Sequence, residues 1–339
     1  MDPLDVLAFA RSLIDIDSTT GREGEASEWL ATRLRALGYD VAEQRVERGC
    51  ANILATLDQP HVVFSTHFDC VPPFFPSRVE NGRLIGRGAC DANGILAAQV
   101  AAAERLRAAG ERRVGLLFVV GEERGSDGAA AANTIANSCR FLINGEPTDS
   151  RLATATRGNL RVRLTASGRA AHSAAPEQGE SAIEKLVDAL VALRGLALPI
   201  DPDLGATYYT VGLIEGGVAP NVIPAHASAE VMFRTIGPAD DILAAIASLE
   251  PGVSIAEVLR VRPIRMHTVD GFETRVFPFT TDVPFLDRWG TPLLFGPGSF
   301  LVAHTDGEFV ALDELHAAVG GFERLAKGCL SATDVRDRS

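Results

Sequence analysis

Short, almost uninterrupted apolar runs are the feature that most restricts the fold of this chain. They occupy residues 61–68 (HVVFSTHF), 114–120 (VGLLFVV) and 141–143 (FLI). A run of this length without polar alternation is typical of a strand that is buried on both faces. Segments with helical apolar spacing lie before and between these runs, at 4–16, 25–37 and 92–109. The pattern predicts an α/β fold with a mixed, mostly parallel sheet covered by helices on both faces.

The pattern changes after Ala155, where RGNLRVRLTASG alternates polar and apolar residues like a half-exposed antiparallel strand. An amphipathic helical segment, two strand-like segments and a second helical segment follow, at 180–194, 206–214, 226–236 and 239–249. This order predicts a small α+β module of ferredoxin-like type. Buried-strand patterns return near Phe277 and lead to a C-terminal helix at about 306–327. We therefore expect one domain built from 1–155 and 266–339, interrupted by an inserted domain at 156–265.

The composition excludes several classes of protein. Of the 339 residues, 46% are hydrophobic and 22% are charged, which is unlike disordered or fibrous chains. The net charge of −12 makes nucleic acids and anionic membrane surfaces poor partners. Five cysteines form no Cys-x-x-Cys pair, as expected in a reducing compartment. The N-terminal segment MDPLDVLAFARSLIDID lacks the basic start of a signal peptide, so we expect a cytoplasmic protein.

Acids and histidines collect where the predicted buried strands and glycine-rich turns end, the edge at which α/β sheets bind ligands. These candidate residues are His67, Asp69, Asp91, Glu122, Glu123, Glu146 and His304. Two divalent ions that share one water need nitrogen and oxygen ligands from several directions, with one carboxylate able to bridge them. Two histidines, three carboxylates and a spare carboxylate as base would meet that need.

Five segments resemble the motifs of a known family. THFDCVP, GRGACDANG, GEERGSDGA, INGEPT and GPGSFLVAHTDGEFV, in this order, look like the metal-site motifs of the M20 metallopeptidases. That family contains acetylornithine and succinyl-diaminopimelate deacylases, aminoacylases and glutamate carboxypeptidases. GRAAHSAAPEQGESAI and GGVAPNVIPAHASAEVMFR resemble the family's lid or dimerisation domain. The resemblance covers nearly the whole chain and implies a homodimer joined through the inserted domain.

The resemblance also implies a ligand set for two Zn²⁺ ions per chain, with Co²⁺ or Mn²⁺ as possible substitutes. Asp91 would bridge the two ions. His67 and Glu146 would complete one site, and Glu123 with His304 would complete the other.

Three further residues of the site receive roles from the resemblance. Glu122 would be the general base that takes a proton from the bridging water and later protonates the leaving amine. A carboxylate beside two cations is a strong ligand and a weak base, which agrees with assigning the base to an uncoordinated acid. Asp69 would hydrogen-bond His67 and fix its tautomer. The chain departs from the family at Asn93, where a lysine or similar residue is usual.

Residues of the inserted domain complete the implied site. His172, in AHSAAP, matches the histidine that reaches into the partner subunit's site and stabilises the tetrahedral oxyanion. Asn221 and Arg234 match residues that hold the free α-carboxylate of the substrate. Arginine suits this task because its guanidinium is a permanently charged, bidentate donor.

We expect a dizinc hydrolase that cleaves the amide bond of N-acyl amino acids, of acetylornithine deacetylase type. The alternative inside the family is a carboxypeptidase or dipeptidase, which would take short peptides with a free carboxylate. In the family resemblance, glutamate rather than aspartate at position 146 implies either of these rather than an aminopeptidase. A serine hydrolase and a nucleotide-binding enzyme lack their motifs here, since GxSxG, GxxxxGK[ST] and GxGxxG are absent. A non-catalytic metal-binding protein would have lost the base or a ligand, and this chain retains all of them.

Overall fold

The computed structural model describes residues 4–46, 49–250 and 252–336. They form two units, the first comprising the chain up to Thr154, Met266–Arg275 and the chain from Thr281 onwards. The second comprises Ala155–Arg265 and Val276–Thr280. Ala155 and residues 276–280, which the sequence boundaries place in the first domain, therefore group with the second unit. The termini at 1–3 and 337–339, also assigned to the first domain, lie outside the described residues.

A six-stranded sheet forms the centre of the first unit. Its strands are β1 (Asp40–Arg45), β2 (Ala51–Thr56), β3 (Val62–His67), β6 (Val114–Val119), β7 (Phe141–Asn144) and β19 (Thr291–Leu294). Their spatial order is β1-β2-β6-β3-β7-β19. The last four strands of this order are parallel, whereas β1, β2 and β6 pair in antiparallel fashion. The expected mixed, mostly parallel sheet is confirmed.

Helices cover both faces of this sheet. The unit contains α1 (Val6–Ile14), α2 (Gly24–Ala36), α3 (Asn93–Ala108), α4 (Glu122–Gly125), α5 (Asp127–Ala132) and α8 (Leu312–Arg336). Val62 and Phe64 of β3 belong to one apolar cluster, with α1, α3 and α8, and Val63 belongs to another on the opposite face. Alternate residues of one strand thus pack into different cores, which explains why its sequence shows no polar alternation.

Six shorter strands form two three-stranded sheets. They are β4 (Arg78–Glu80), β5 (Arg83–Ile85), β8 (Leu152–Thr156), β17 (Ile264–Arg265), β18 (Thr274–Phe277) and β20 (Phe309–Ala311). β20 pairs with β5, and the last helix begins only after it, at Leu312. The expected helix start at about 306 is therefore wrong, because the preceding residues form a turn and an extended segment.

The second unit is built on a four-stranded antiparallel sheet. Its main elements are β9 (Gly158–Ser167), α6 (Ala182–Arg194), β13 (Tyr208–Gly216), β15 (His226–Thr235), α7 (Ala239–Ile246) and β16 (Ser254–Val261). The spatial order is β13-β15-β9-β16, and the β-α-β-β-α-β sequence of elements is ferredoxin-like. Sequence analysis missed the edge strand β16, whose residues are mostly exposed and lack a buried-strand pattern.

Four other two-residue strands lie in the second unit. They are β10 (Ala171–His172), β11 (Ile200–Asp201), β12 (Gly205–Ala206) and β14 (Val222–Ile223). Among all the described residues, no helix has the length and apolar character needed to cross a membrane.

Candidate metal centre

The carboxyl ends of adjacent parallel strands bring the candidate ligands together. His67 is the last residue of β3, which lies between β6 and β7 in the sheet. Glu122 and Glu123 open α4 just after β6, and Glu146 follows β7. Because β3, β6 and β7 run in parallel, their ends meet at one edge, as the sequence pattern requires.

Asp91 lies between the two histidines of the site. Its Oδ1 is 2.9 Å from Nε2 of His67, and its Oδ2 is 3.3 Å from Nε2 of His304. Nε2 of His304 is also 3.0 Å from Oε1 of Glu123. Each carboxylate oxygen of Asp91 therefore faces a different histidine, which is the arrangement required of a bridging ligand.

Two groups of three residues have the spacing of a cation site, and they share Asp91. One group is His67, Asp91 and Glu146, and the other is Asp91, Glu123 and His304. Within each group the potential ligand atoms all lie within 4.8 Å of one another. Imidazole nitrogen with carboxylate oxygen is a donor set that suits zinc and related divalent ions.

The buried carboxylates of the first group fit such a cation. Glu146 is 5% exposed, and its Oε1 has no hydrogen-bond partner among the described residues. Burial raises the pKa of Glu146 well above its usual value, despite the opposing effect of His67. A buried carboxylate oxygen without a partner is costly, and a divalent cation would satisfy it.

Hydrogen bonds tie the protonation of the histidines to Asp91. Contacts with Asp91 and Glu123 raise the pKa of His304 to about 10. Burial opposes the charge on His67, but its bonds to Asp69 and Asp91 raise its pKa above the usual value. Burial likewise opposes the charge on Asp91, whose pKa is nevertheless lowered by both histidines. Cations would take the place of these protons, since metal ligands bind in their deprotonated forms.

Asp69 orients the first ligand and the acids beside it. The Nδ1 atom of His67 is 2.9 Å from the main-chain oxygen of Asp69 and 3.4 Å from its carboxylate. The main-chain carbonyl is thus the nearer acceptor, and it leaves Nε2 of His67 directed at Asp91. The Asp69 carboxylate accepts hydrogen bonds from the main-chain N–H groups of Glu122 and Glu123, at 3.0 and 3.3 Å, and from the Thr20 hydroxyl at 2.9 Å.

Glu122 belongs to neither ligand group. Burial raises its pKa well above the usual value, and the nearby carboxylates of Asp282, Glu123 and Asp91 raise it further. A carboxylate whose pKa is raised in this way can accept a proton and return it near neutral pH. The position agrees with a general base beside a cation site.

Sequence analysis missed Asp282. This residue is fully buried, and the Ser126 side chain partly opposes the effect of burial on its carboxyl group. Burial raises its pKa to about 7. Asp282 lies in TTDVPF, which has no metal-ligand spacing to the other candidates, so no signal in the sequence points to it.

The turn that carries Asp91 is tightly packed. Gly88 has a φ of +87°, and a Cβ atom there would lie 2.7 Å from Sγ of Cys70. Only glycine fits that conformation and that space. Asn93, the residue that departs from the family, is fully buried and donates from Nδ2 to Sγ of Cys70 at 3.5 Å. It packs beneath the turn and belongs to neither ligand group.

The three remaining candidates lie in the second unit. His172 is on β10, opposite Val222 of β14, and the main-chain oxygen of Asn221 accepts a bond from Ser173 at 3.0 Å. His172 and Asn221 are therefore neighbours. Arg234 lies near the end of β15, paired with Asn159 of β9.

Residues 63–328 match peptidase family M20/M25/M40. The chain belongs to this family. The M20 family is one of metallopeptidases, so this protein is a metallopeptidase by family.

Relatives and solved structures agree with the family. A probable carboxypeptidase of Aspergillus clavatus is 35% identical over 376 residues, covering 97% of this chain and 83% of that protein. A tripeptidase structure from Staphylococcus aureus superposes with a TM-score of 0.82 at 19% identity, covering 96% of this chain and 98% of the other. An M20 metallo-carboxypeptidase structure from Sulfolobus solfataricus gives 0.78 at 17% identity, with 97% and 99% covered.

Proposed function

We propose that this M20 protein is a two-cation carboxypeptidase or dipeptidase, which hydrolyses the amide bond next to a free carboxylate of a short peptide. The observation that carries the proposal is Asp91, whose two oxygens face His67 and His304 and which belongs to both ligand groups. The Aspergillus clavatus relative is named as a probable carboxypeptidase, which favours peptides over the N-acyl amino acids preferred from the sequence. Short peptides and N-acyl amino acids both contain an amide bond next to a free carboxylate.

The site would hold one divalent cation at His67, Asp91 and Glu146, and another at Asp91, Glu123 and His304. When bound, the two ions would lower the pKa of water and polarise the carbonyl group. Glu122 accepts the proton of the attacking water and delivers it to the leaving amine. The hydrogen bond from the Glu122 main chain to Asp69 holds this base beside the ligands.

Arg234 is our candidate for recognising the substrate carboxylate. Its side chain is partly buried, and no carboxylate pairs with it among the described residues. An unpaired guanidinium on a folded strand is available for a bidentate contact with a ligand carboxylate.

The separation of residues along the second unit supports a site shared between two chains. Arg234 lies eight residues along β15 from His226, which is about 26 Å at the rise of a strand. His172 lies on β10, which pairs with β14, and β14 immediately precedes the His226 end of β15 in the chain. One dipeptide could not span that length on a single chain, whereas a second copy could supply the other group.

A surface of the second unit suits a second copy of this chain. Ile183, Val187 and Val191 recur every four residues along α6 and are 38%, 51% and 59% exposed. The neighbouring β13 is an edge strand of nine residues, on which Ile214 is also exposed. An open strand edge beside an apolar helical stripe can pair with its own copy about a two-fold axis. We propose a homodimer formed through these elements.

A substrate panel tests the proposed activity. Purified protein with added Zn²⁺ is assayed for released amine on dipeptides, tripeptides, their C-terminal amides and N-acetyl amino acids. We expect turnover of free-acid peptides, with the amides cleaved at least tenfold more slowly because Arg234 loses its charged partner. Equal turnover of acids and amides would contradict a carboxypeptidase. Turnover of N-acetyl amino acids alone would favour the deacylase.

A further inference from the structure

Glu308 is a buried carboxylate in the first unit that the mechanism above does not use. Its side chain is fully buried and accepts four hydrogen bonds. Oε2 accepts from Nη1 of Arg87 at 2.7 Å. Oε1 accepts from the main-chain N–H groups of Gly88, Cys90 and Asp91, each at 3.0 Å.

This arrangement differs from an ordinary buried ion pair. Removing a carboxylate from water is costly, and one arginine repays only part of that cost. Here three main-chain donors of the turn at 86–91 converge on one oxygen, so the carboxylate of Glu308 fixes the conformation of that turn. Arg87 is itself held by a bond from Nε to the main-chain oxygen of Pro73 at 3.2 Å and by the ring of Phe75.

The bonds of Glu308 connect two ligand-bearing segments. The turn at 86–91 ends in Asp91, whose own N–H donates to Glu308. Glu308 follows His304 by four residues, and its main-chain N–H donates to the oxygen of Thr305 at 3.3 Å. The main-chain oxygen of Glu308 accepts from Gly86 at 3.2 Å. The backbone of the shared ligand is thereby fastened to the backbone of the histidine loop.

We propose that Glu308 is a positioning residue that sets the place of Asp91 relative to His304, and so the affinity of the chain for both cations. The inference rests on the proposed two-cation site. Oε1 holds the N–H of Asp91, and Oε2 anchors Glu308 to Arg87. The two oxygens therefore have separable effects, the first on cation binding and the second on stability.

Two substitutions separate these effects. Glu308→Gln keeps the shape of the side chain, but its amide must turn a donor either to Arg87 or to the three N–H groups. Arg87→Lys keeps a positive charge beside Oε2 and leaves the three bonds to Oε1 in place. Glu104→Gln is a matched control, because Glu104 is a largely buried carboxylate bonded to Tyr39 at 2.8 Å. It lies on α3, 11 residues and about 16 Å beyond Asn93.

The experiment measures Zn²⁺ affinity by competition with a chelating dye, together with thermal unfolding of each full-length variant with and without Zn²⁺. We expect Glu308→Gln to weaken zinc binding by roughly 10- to 100-fold, the usual effect of losing a group that orients a ligand. Its unfolding temperature should also rise less on adding zinc. Arg87→Lys and Glu104→Gln should lower the stability of the zinc-free protein yet bind zinc within about threefold of wild type.

The outcomes distinguish this inference from the proposed function. If Glu308→Gln unfolds more easily but binds zinc like wild type, Glu308 is only structural and the inference is overturned. A parallel loss of zinc affinity in Arg87→Lys and Glu308→Gln would overturn it as well. Should Glu308→Gln fail to fold, Glu308→Asp provides the same comparison, because its shorter side chain cannot reach all four donors. A wild-type protein that binds no zinc would instead reject the two-cation function.

Discussion

The Asp69 carboxylate accepts a hydrogen bond from the main-chain N–H of Glu122 at 3.0 Å. The two residues are 53 positions apart and belong to the ends of neighbouring strands. Through this bond, Asp69, two positions after His67, also holds the backbone of the candidate base. Asp69 therefore links the candidate ligand His67 to the acid Glu122. Its two carboxylate oxygens accept hydrogen bonds from the main-chain N–H groups of Glu122 and Glu123.

Replacing Asp69 by asparagine should impair this link while leaving the cation ligands in place. The amide retains one acceptor and turns a donor towards the N–H groups of Glu122 and Glu123. We expect kcat to fall by roughly 10- to 100-fold, with cation content near that of wild type. Steady-state kinetics and metal analysis of the same sample check this. Unchanged kcat would show that the turn keeps its shape without Asp69.

Glu122→Gln and Glu123→Gln should have different effects, although the residues are adjacent. Glu122 lies outside both ligand groups, so its loss should lower kcat by roughly 10²–10⁴ and spare cation binding. Glu123 is 3.0 Å from His304 within a ligand group, so its replacement should weaken cation binding. Metal analysis beside peptide hydrolysis separates the two. Cation loss in Glu122→Gln would reverse the assignment of base and ligand.

The number of bound cations should depend on which ligand is removed. Wild type is expected to hold about two divalent ions per chain. His67 belongs to one group only, so His67→Ala should retain about one ion. Asp91 belongs to both groups, so Asp91→Ala should retain fewer divalent ions per chain than His67→Ala. Metal analysis after dialysis measures the ratio, with His316→Ala on the last helix as control. Equal contents in the two ligand variants would contradict a shared Asp91.

The cation-free protein should lose stability as the pH rises from about 5 to 9. Burial raises the pKa of Glu122, Glu146 and Asp282, the last to about 7, so the folded state holds protons that the unfolded state has lost. A group whose pKa is higher in the folded than in the unfolded state contributes stability at pH values below its unfolded pKa. That contribution is lost as the pH rises through its folded pKa. The histidines act in the same direction, since the pKa of His304 is raised to about 10.

Thermal unfolding in the presence of a chelator measures this slope. Asp282→Asn should flatten the part below about pH 7, because that buried carboxyl no longer titrates. Zn²⁺ should reverse the trend, since cations bind the deprotonated ligands more tightly as the pH rises. A cation-free protein that gains stability towards pH 9 would show that these carboxyl groups ionise freely in the folded state.

Subunit mixing tests whether His172 acts on the partner's site. His172→Ala should lower kcat by roughly 10²–10³, the usual cost of one oxyanion donor. If inactive His172→Ala and inactive Glu122→Gln chains exchange subunits, mixed dimers should recover one working site. Each recovered site combines His172 of one chain with Glu122 of the other. No recovery despite proven exchange would place both groups of a site on one chain.

Local sequence patterns were sufficient for most elements and for identifying candidate residues that the structure brings together in two groups with cation-site spacing. Apolar runs marked β3, β6 and β7, and the acids and histidines directly after them lie at the carboxyl edge of the sheet. Position in the sequence predicts position in the fold here because the carboxyl ends of parallel strands lie at the same edge of a sheet. Exposed or very short strands such as β16 carry no such periodicity, and they were missed.

Residue types and strand ends, both readable in the sequence, determined the chemistry available to this protein: two histidines, four carboxylates and their shared edge. Only the tertiary structure decided how those groups are held. The bond between Arg87 and Glu308 joins positions 221 residues apart, and the buried Asp282 raises the pKa of Glu122 without any motif around it. Hydrophobic periodicity reports which face of an element is buried. Hydrophobic periodicity does not show which distant polar groups will contact each other, because those contacts depend on how the elements pack.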